Sequence, residues 1–336
     1  MDENIELYVL PRHSMSWEEF VEKTPRNSIS LDGIINSSTK NKDLVYGPTG
    51  LVIGGPGYDP TTNTINFDHH FGVVRDATMS TSRQVYLAIK TGLFHAFMEN
   101  GKPQANVYVN DPDQDTAVSV FLLKNHKLFE NTKSMPEMER FLHLVDMLDI
   151  TAGSFPIDFS DKLVRQQNWV FEDYNEFRKS GALAKANSEE MKSNLEKTIF
   201  RINELMNGRA KEKDFDTRHE IFYKSPNGYW VVNEIGGNEA RCYLFSKGMN
   251  AYISLVATRP DGRFVYTIGR RSGYIKYFDV NGLVDSFNKE EGLTRENGWG
   301  CPSGTTSNVG GSSRKLGSGV KWQRLAELTD RILTKK

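Results

Sequence analysis

The sequence predicts an α/β protein of two domains. An N-terminal parallel-sheet α/β domain is expected over 1–185, a helical linker over 186–213, and a smaller C-terminal mixed-sheet α/β domain over 214–336. Three observations carry this. Short apolar runs at 28–31, 64–67 and 105–109 each end in acidic or polar residues and lead into loops and helical patterns, the succession of a parallel sheet. The stretch 161–212 is highly charged and helical in pattern. From His219 onward the character changes to strands. A chain of 336 residues is long enough for two domains.

In chain order, Leu7-Tyr8-Val9-Leu10 reads as a short strand. Ser16 and Glu19 then have capping-box spacing and open a helix. Ser28-Ile29-Ser30-Leu31 alternates like a strand and runs into Asp32-Gly33. Asp-Gly is a favoured turn pair, yet an Asp at a strand end can also aim its carboxylate at a site beside the sheet. Residues 36–63 are rich in Gly, Pro, Asn, Ser and Thr, with one expected strand at Gly50-Leu51-Val52-Ile53 and a Gly-Gly-Pro-Gly turn after it. Thr64 to Phe67 is the strand that delivers Asp68-His69-His70. Arg75, Thr78, Ser80, Thr81 and Ser82 precede a helix from Gln84 to about Met98, and the hydroxyls there can cap it or bind phosphate.

Ala105 to Val109 is the next strand, followed by Asn110-Asp111-Pro112-Asp113-Gln114-Asp115-Thr116 and a helix from Ala117 to Lys124. Met138 to Ile150 is helical and carries His143, Asp146 and Asp149 at three-residue spacing, which predicts one shared face. Thr151 to Pro156 breaks it, and a long polar helix runs from Ser188 to about Arg209. Strands follow at 220–223, 229–233, 251–257 and 264–268. After a glycine-rich segment that includes Gly310, Gly311, Ser312 and Ser313, a last amphipathic helix covers 320–333.

Composition narrows the function classes. Hydrophobic residues make up 38% and charged residues 25%, and the net charge of -1 gives no overall basic field for long nucleic acid. No apolar run approaches a membrane span. The N-terminal Met1-Asp2-Glu3-Asn4 lacks the apolar core of a signal peptide, and the two cysteines, Cys242 and Cys301, form no disulfide framework. A cytoplasmic location is expected.

The chemistry-bearing residues of the first domain are Asp32, Asp68, His69, His70, Asp113, Asp115, Asp146 and Asp149. Most fall at or near strand C-termini, where open α/β sheets gather ligands. Carboxylates with one or two imidazoles suit Mn²⁺ or Mg²⁺ better than thiolate-bound zinc. Asp113 and Asp115 can approach one cation or two neighbours, and two cations would clamp an in-line attack on phosphorus. On an extended backbone His69 and His70 point to opposite sides, so one can bind metal while the other faces the substrate or supports the metal ligands from behind. In the second domain Arg270, Arg271 and Ser272 follow a strand, and Arg314 and Lys315 sit in the glycine-rich segment. Glycine amides and arginine forks are phosphate-binding groups. A flexible loop with solvated charges is the competing reading.

Asp68-His69-His70 resembles the motif that names the DHH phosphoesterase superfamily. Asp111-Pro112-Asp113-Gln114-Asp115 with Ser119 resembles that family's Asn-Pro-Asp-x-Asp loop and helix. Tyr266 to Ser272 and Gly310-Gly311 resemble segments of its associated C-terminal domain. The order differs from the usual one, because here the Asp-x-Asp loop follows the Asp-His-His. Val109 stands where a metal-binding histidine is usual, and Ser312-Ser313-Arg314 where a histidine follows the glycines. The resemblance implies a metal-binding catalytic domain and a substrate-binding domain. Asp32, Asp68, His69, Asp113, Asp115 and either or both of Asp146 and Asp149 would bind metal. His70, Asp68 and Arg314 would be catalytic. Arg270, Arg271, Ser272, Gly310, Gly311, Ser312, Ser313 and Lys315 would bind substrate. The expected cofactor is two Mn²⁺ ions, with Mg²⁺ or Co²⁺ as alternatives. The implied activity is a metal-dependent phosphodiesterase acting on short oligonucleotides or cyclic dinucleotides through a metal-activated water. Alternatives are phosphoanhydride hydrolysis of pyrophosphate or polyphosphate, and non-catalytic binding of a phosphorylated ligand. The expected partner is a small phosphorylated substrate, without a membrane or a stable long nucleic-acid complex; homo-oligomerisation stays open.

Overall fold

The structure is a computed structural model that describes residues 2–35, 57–70, 78–301, 308–313 and 315–334. The strand expected at 50–53, Arg75 and Arg314 lie outside these residues. The chain divides into two compact units, Met1–Ala152 with Ser160–Asp214, and Gly153–Phe159 with Phe215–Lys336. Both are α/β.

The first unit runs β1 (Ile5–Val9), α1 (Trp17–Lys23), β2 (Ser28–Leu31), β3 (Tyr58–Asp59), β4 (Thr64–Phe67), α2 (Thr81–Lys90), α3 (Leu93–Ala96), a small ribbon of β5 (Met98–Glu99) and β6 (Lys102–Pro103), then β7 (Ala105–Val109), α4 (Gln114–Lys124), α5 (Pro136–Ile150), α6 (Lys162–Val170), α7 (Glu172–Lys179) and α8 (Ser188–Met206). Its five-stranded sheet has the order β1-β7-β2-β4-β3. All neighbours are parallel except β3 on β4. The strands are buried runs rich in Ile, Val, Leu and Phe, as strands covered on both faces should be. Because β2, β4 and β7 are parallel, the residues that follow Leu31, Phe67 and Val109 emerge at one edge of the sheet. The register pairs Leu31 with Phe67 and Ser30 with Tyr108, which sets Asp32 level with Asp68.

Several helix limits differ from expectation. The helix expected over 84–98 starts earlier, at Thr81, with Ser80 as N-cap, and stops at Lys90. Gly92 at φ +103° adopts a conformation that side chains disfavour and ends the run. The helix after the acidic loop begins at Gln114, because the Asp113 side chain accepts the Thr116 N–H and caps it. That helix, α4, is buried almost all round, from Asp115 through Leu123. The helix expected in a linker, α8, instead belongs to the first unit. Met191, Leu195, Ile199, Ile202 and Leu205 form a buried stripe in the same core as Val107, Phe121 and Phe171.

The second unit contains β8 (Glu220–Lys224), β9 (Trp230–Asn233), α9 (Asn238–Ser246), β10 (Ala251–Thr258), β11 (Phe264–Arg270), α10 (Val280–Glu291), β12 (Val309–Gly311) and α11 (Trp322–Thr334). Its sheet has the order β12-β11-β10-β9-β8, with β9 and β10 parallel and the other pairs antiparallel. Tyr229, Ile253, Tyr266, Phe287, Trp299 and Leu325 lie in its core. Glu234 and Arg241 form a buried bidentate pair, both bonds 2.6 Å, which ties the end of β9 to α9. Among the described residues no helix is long and apolar enough to cross a membrane.

Candidate metal centre

The edge where β2, β4 and β7 end holds the site. Asp32 follows β2 with φ 43°, a left-handed conformation that Asp tolerates better than most residues, and its carboxylate is buried. Its amide donates to the Phe67 carbonyl at 3.0 Å, so the two strand ends are locked side by side.

After Phe67 the chain leaves the strand and winds around one oxygen. Asp68 Oδ1 accepts the amides of His69 (2.8 Å) and His70 (3.0 Å) and lies 2.9 Å from His70 Nδ1. This turn overturns the expectation that the two imidazoles diverge. Their ring centres are 4.6 Å apart, and both rings reach Asp32 Oδ1, His70 through Nδ1 at 2.9 Å and His69 through Nε2 at 3.6 Å. His69 is fully buried and its Nε2 also lies 2.8 Å from Asp149 Oδ2. His70 is half-exposed. Burial alone would lower the His70 imidazole, but the Asp32 and Asp68 carboxylates raise it to about 11.

Two groups of side chains each bring ligand atoms within 4.8 Å of one another, Asp32 with His69 and His70, and His69 with Asp115 and Asp149. They share His69. Asp115 comes from the first turn of α4 and is buried. Its two oxygens accept amides from the start of α2, Thr81 N at 2.6 Å and Ser82 N at 3.0 Å. A carboxylate has about four acceptor positions, so lone pairs remain for a cation. Burial, then the Asp149 and Asp32 charges, push the Asp115 carboxyl up to about 7.

The remaining sequence candidates separate. Asp149 faces His69, whereas Asp146 accepts the Ser80 amide at 2.8 Å and supports α2. Asp113 is the cap of α4 and lies outside both ligand groups, although burial first and then Asp32, Asp111 and Asp149 hold its carboxyl well above the usual range. Asp68 serves its own turn and is likewise outside the groups. His143 is exposed although Asp146, three residues on, is buried, so the small rotation between them spans the boundary of the buried face. Val109, at the position where the resemblance would place a histidine, is fully buried in the core.

In the second unit, Arg270 is held by the Asn308 side chain (2.9 Å) and the Ile275 carbonyl (3.4 Å). Arg271 has no acidic partner within ion-pair distance among the described residues, and Ser272 Oγ accepts the Tyr274 amide at 3.3 Å. The expected phosphate cradle at the glycines fares less well. Gly311 exchanges both backbone bonds with Gly300, and the Ser312 amide donates to Tyr266 O. A side chain at Gly311 would meet Tyr266 O at 2.7 Å, so glycine is required there by a neighbouring strand. Ser312 Oγ accepts the Tyr266 amide, and Ser313 Oγ accepts the Leu316 amide. Lys315 is exposed.

Sequence reasoning undervalued Thr81 and Gln84. The hydroxyl run before α2 was visible, but its partners are carboxylates from distant helices. Gln84 Nε2 donates to the carbonyls of Asp68 and Met79, both at 3.0 Å, which pins the Asp-His-His turn to α2.

By its donor chemistry the set could hold a metal ion. Neither a comparison with protein-family models nor a search of curated proteins finds a match to this chain.

Proposed function

We propose that the chain is a metal-dependent phosphohydrolase of the DHH type, acting on phosphodiesters such as short oligonucleotides or cyclic dinucleotides. The observation that carries this reading is the convergence of Asp32, His69, His70, Asp115 and Asp149 from separate strand and helix ends onto one small volume. The residues fit a hard or borderline cation, since the donors are carboxylate oxygens and imidazole nitrogens with no thiolate among them. Asp32, His69, Asp115 and Asp149 would hold it, with Mn²⁺ the preferred ion and two ions the expected number. When bound, such a cation polarises a phosphoryl oxygen and lowers the pKa of water. His70 lies against the Asp32 and Asp68 carboxylates, which favour its cationic form, and is half-exposed, so it would be placed to stabilise charge developing on the phosphoryl group. The buried His69–Asp149 contact fixes the imidazole's orientation. Arg271 and Ser272 of the second unit have the chemistry of phosphate-binding groups.

Turnover of a panel of linear and cyclic dinucleotides with Mn²⁺ tests the reading. The expected outcome is metal-dependent release of mononucleotide that falls to background in His69→Ala and in Asp115→Ala. Undiminished turnover in both variants would overturn it. The apolar Val109 favours one other reading, a binder of a phosphorylated ligand on an incomplete second cation position. It would show as saturable binding with no turnover.

A further inference from the structure

The start of α2 reaches three acidic side chains, Asp146, Asp115 and Asp32. The amides of Ser80, Thr81 and Ser82 are donors left over at a helix start, where the positive end of the helix dipole favours carboxylates. They go to Asp146 of α5 and Asp115 of α4 rather than to solvent. Beside the shared His69, Thr81 also bridges the two candidate ligand groups. Its amide donates to Asp115 Oδ2 at 2.6 Å, and its hydroxyl donates to Asp32 Oδ1 at 3.2 Å. That Asp32 oxygen is the one both imidazoles approach. The hydroxyl has a single hydrogen, and its other acceptor, the Phe67 carbonyl, is farther away at 3.5 Å. Thr81 is fully buried, so bulk solvent does not reach this hydrogen.

We propose that Thr81 is a positioning residue for cation binding, setting Asp32 relative to Asp115 by donating to both. The inference rests on the metal-site reading above. Buried carboxylates this close repel one another, and each adopts the orientation that its fixed donors impose. Removing the hydroxyl takes away the donor that ties Asp32 to α2, so one ligand of the first group loses part of its aim while the Thr81 amide keeps Asp115 in place.

Mn²⁺ binding to the full chain, followed by electron paramagnetic resonance titration, tests this without any substrate. Thr81→Val should bind Mn²⁺ roughly 10-fold more weakly than the wild type, the scale of losing an outer-sphere partner of a metal ligand. Thr81→Ser, which restores the hydroxyl, should bind within about three-fold of wild type on the same scale. The melting temperature in chelator separates placement from folding and should differ little between the two variants. Equal Mn²⁺ affinity of Thr81→Val and wild type would overturn the inference. So would equal weakening in both variants with a matching loss of melting temperature, since that marks a packing role only. Absence of Mn²⁺ binding by the wild type would instead overturn the metal reading itself, and the inference with it.

Discussion

Asp32 occupies a left-handed backbone position, accepts from Thr81 and faces both imidazoles, so its carboxylate is where the strain and the charge of the site meet. The titration of its neighbours gives a signed expectation for the cation-free chain. Asp115 rises from 3.8 to about 7, so the fold holds a proton there that the unfolded chain releases, and stability falls as pH rises across that interval. His70 rises from 6.5 to about 11, so its pairing contributes fully below about pH 6.5 and is lost as pH climbs toward 11. Both slopes have the same sign. The melting temperature in chelator is expected to decrease between about pH 5 and pH 9, and the increment added by Mn²⁺ to grow over the same range as protons leave the ligands. A melting temperature that rises across that range would contradict this. At this scale the sequence exposed the ligand types and their strand-end positions. It did not expose that Asp68 would fold onto its own turn, because side-chain bonds to nearby amides compete with any distant role. Nor could it choose Asp149 over Asp146, since three residues along a helix separate them by only a small rotation.

At the scale of elements, the parallel strands were legible because buried β-branched runs ending in Asp or Asn have few alternatives. The start of α2 was not, since Thr81 and Ser82 are weak helix formers whose helical state is fixed by carboxylates from α4 and α5. The role of α8 was obscured for a different reason. Its exposed face is so charged that the buried stripe of Met191, Leu195, Ile199, Ile202 and Leu205 reads as a minority. Leu195 is fully buried in the first unit's core. Leu195→Ala should therefore cost about 2–5 kcal/mol in urea denaturation, the range for truncating a core leucine. A change within about 0.5 kcal/mol, the usual surface value, would return α8 to the status of a linker.

For the whole molecule, each of the two units has its own hydrophobic clusters, and the chain passes between the units more than once. The segment Gly153–Phe159 leaves the first unit after α5 and joins the second, where Phe159 packs edge-on against Phe215 (4.8 Å) and Tyr243 (5.5 Å) and Ser154 Oγ donates to Arg271 O. Composition signals the two halves, but an excursion of seven residues is too short to leave a compositional trace. The candidate metal ligands concentrate in the first unit, where a parallel sheet brings the strand ends at Asp32, Asp68 and the Asp113–Asp115 loop to one edge. The central claim is that Asp32, His69, Asp115 and Asp149 hold a divalent cation. Anomalous diffraction at the manganese edge from crystals grown with Mn²⁺ tests it most directly. The account predicts a peak bonded to His69 and to carboxylate oxygens of Asp115 and Asp149 or of Asp32. A map with no peak at those side chains, from crystals in which Mn²⁺ is bound elsewhere or not at all, would contradict it.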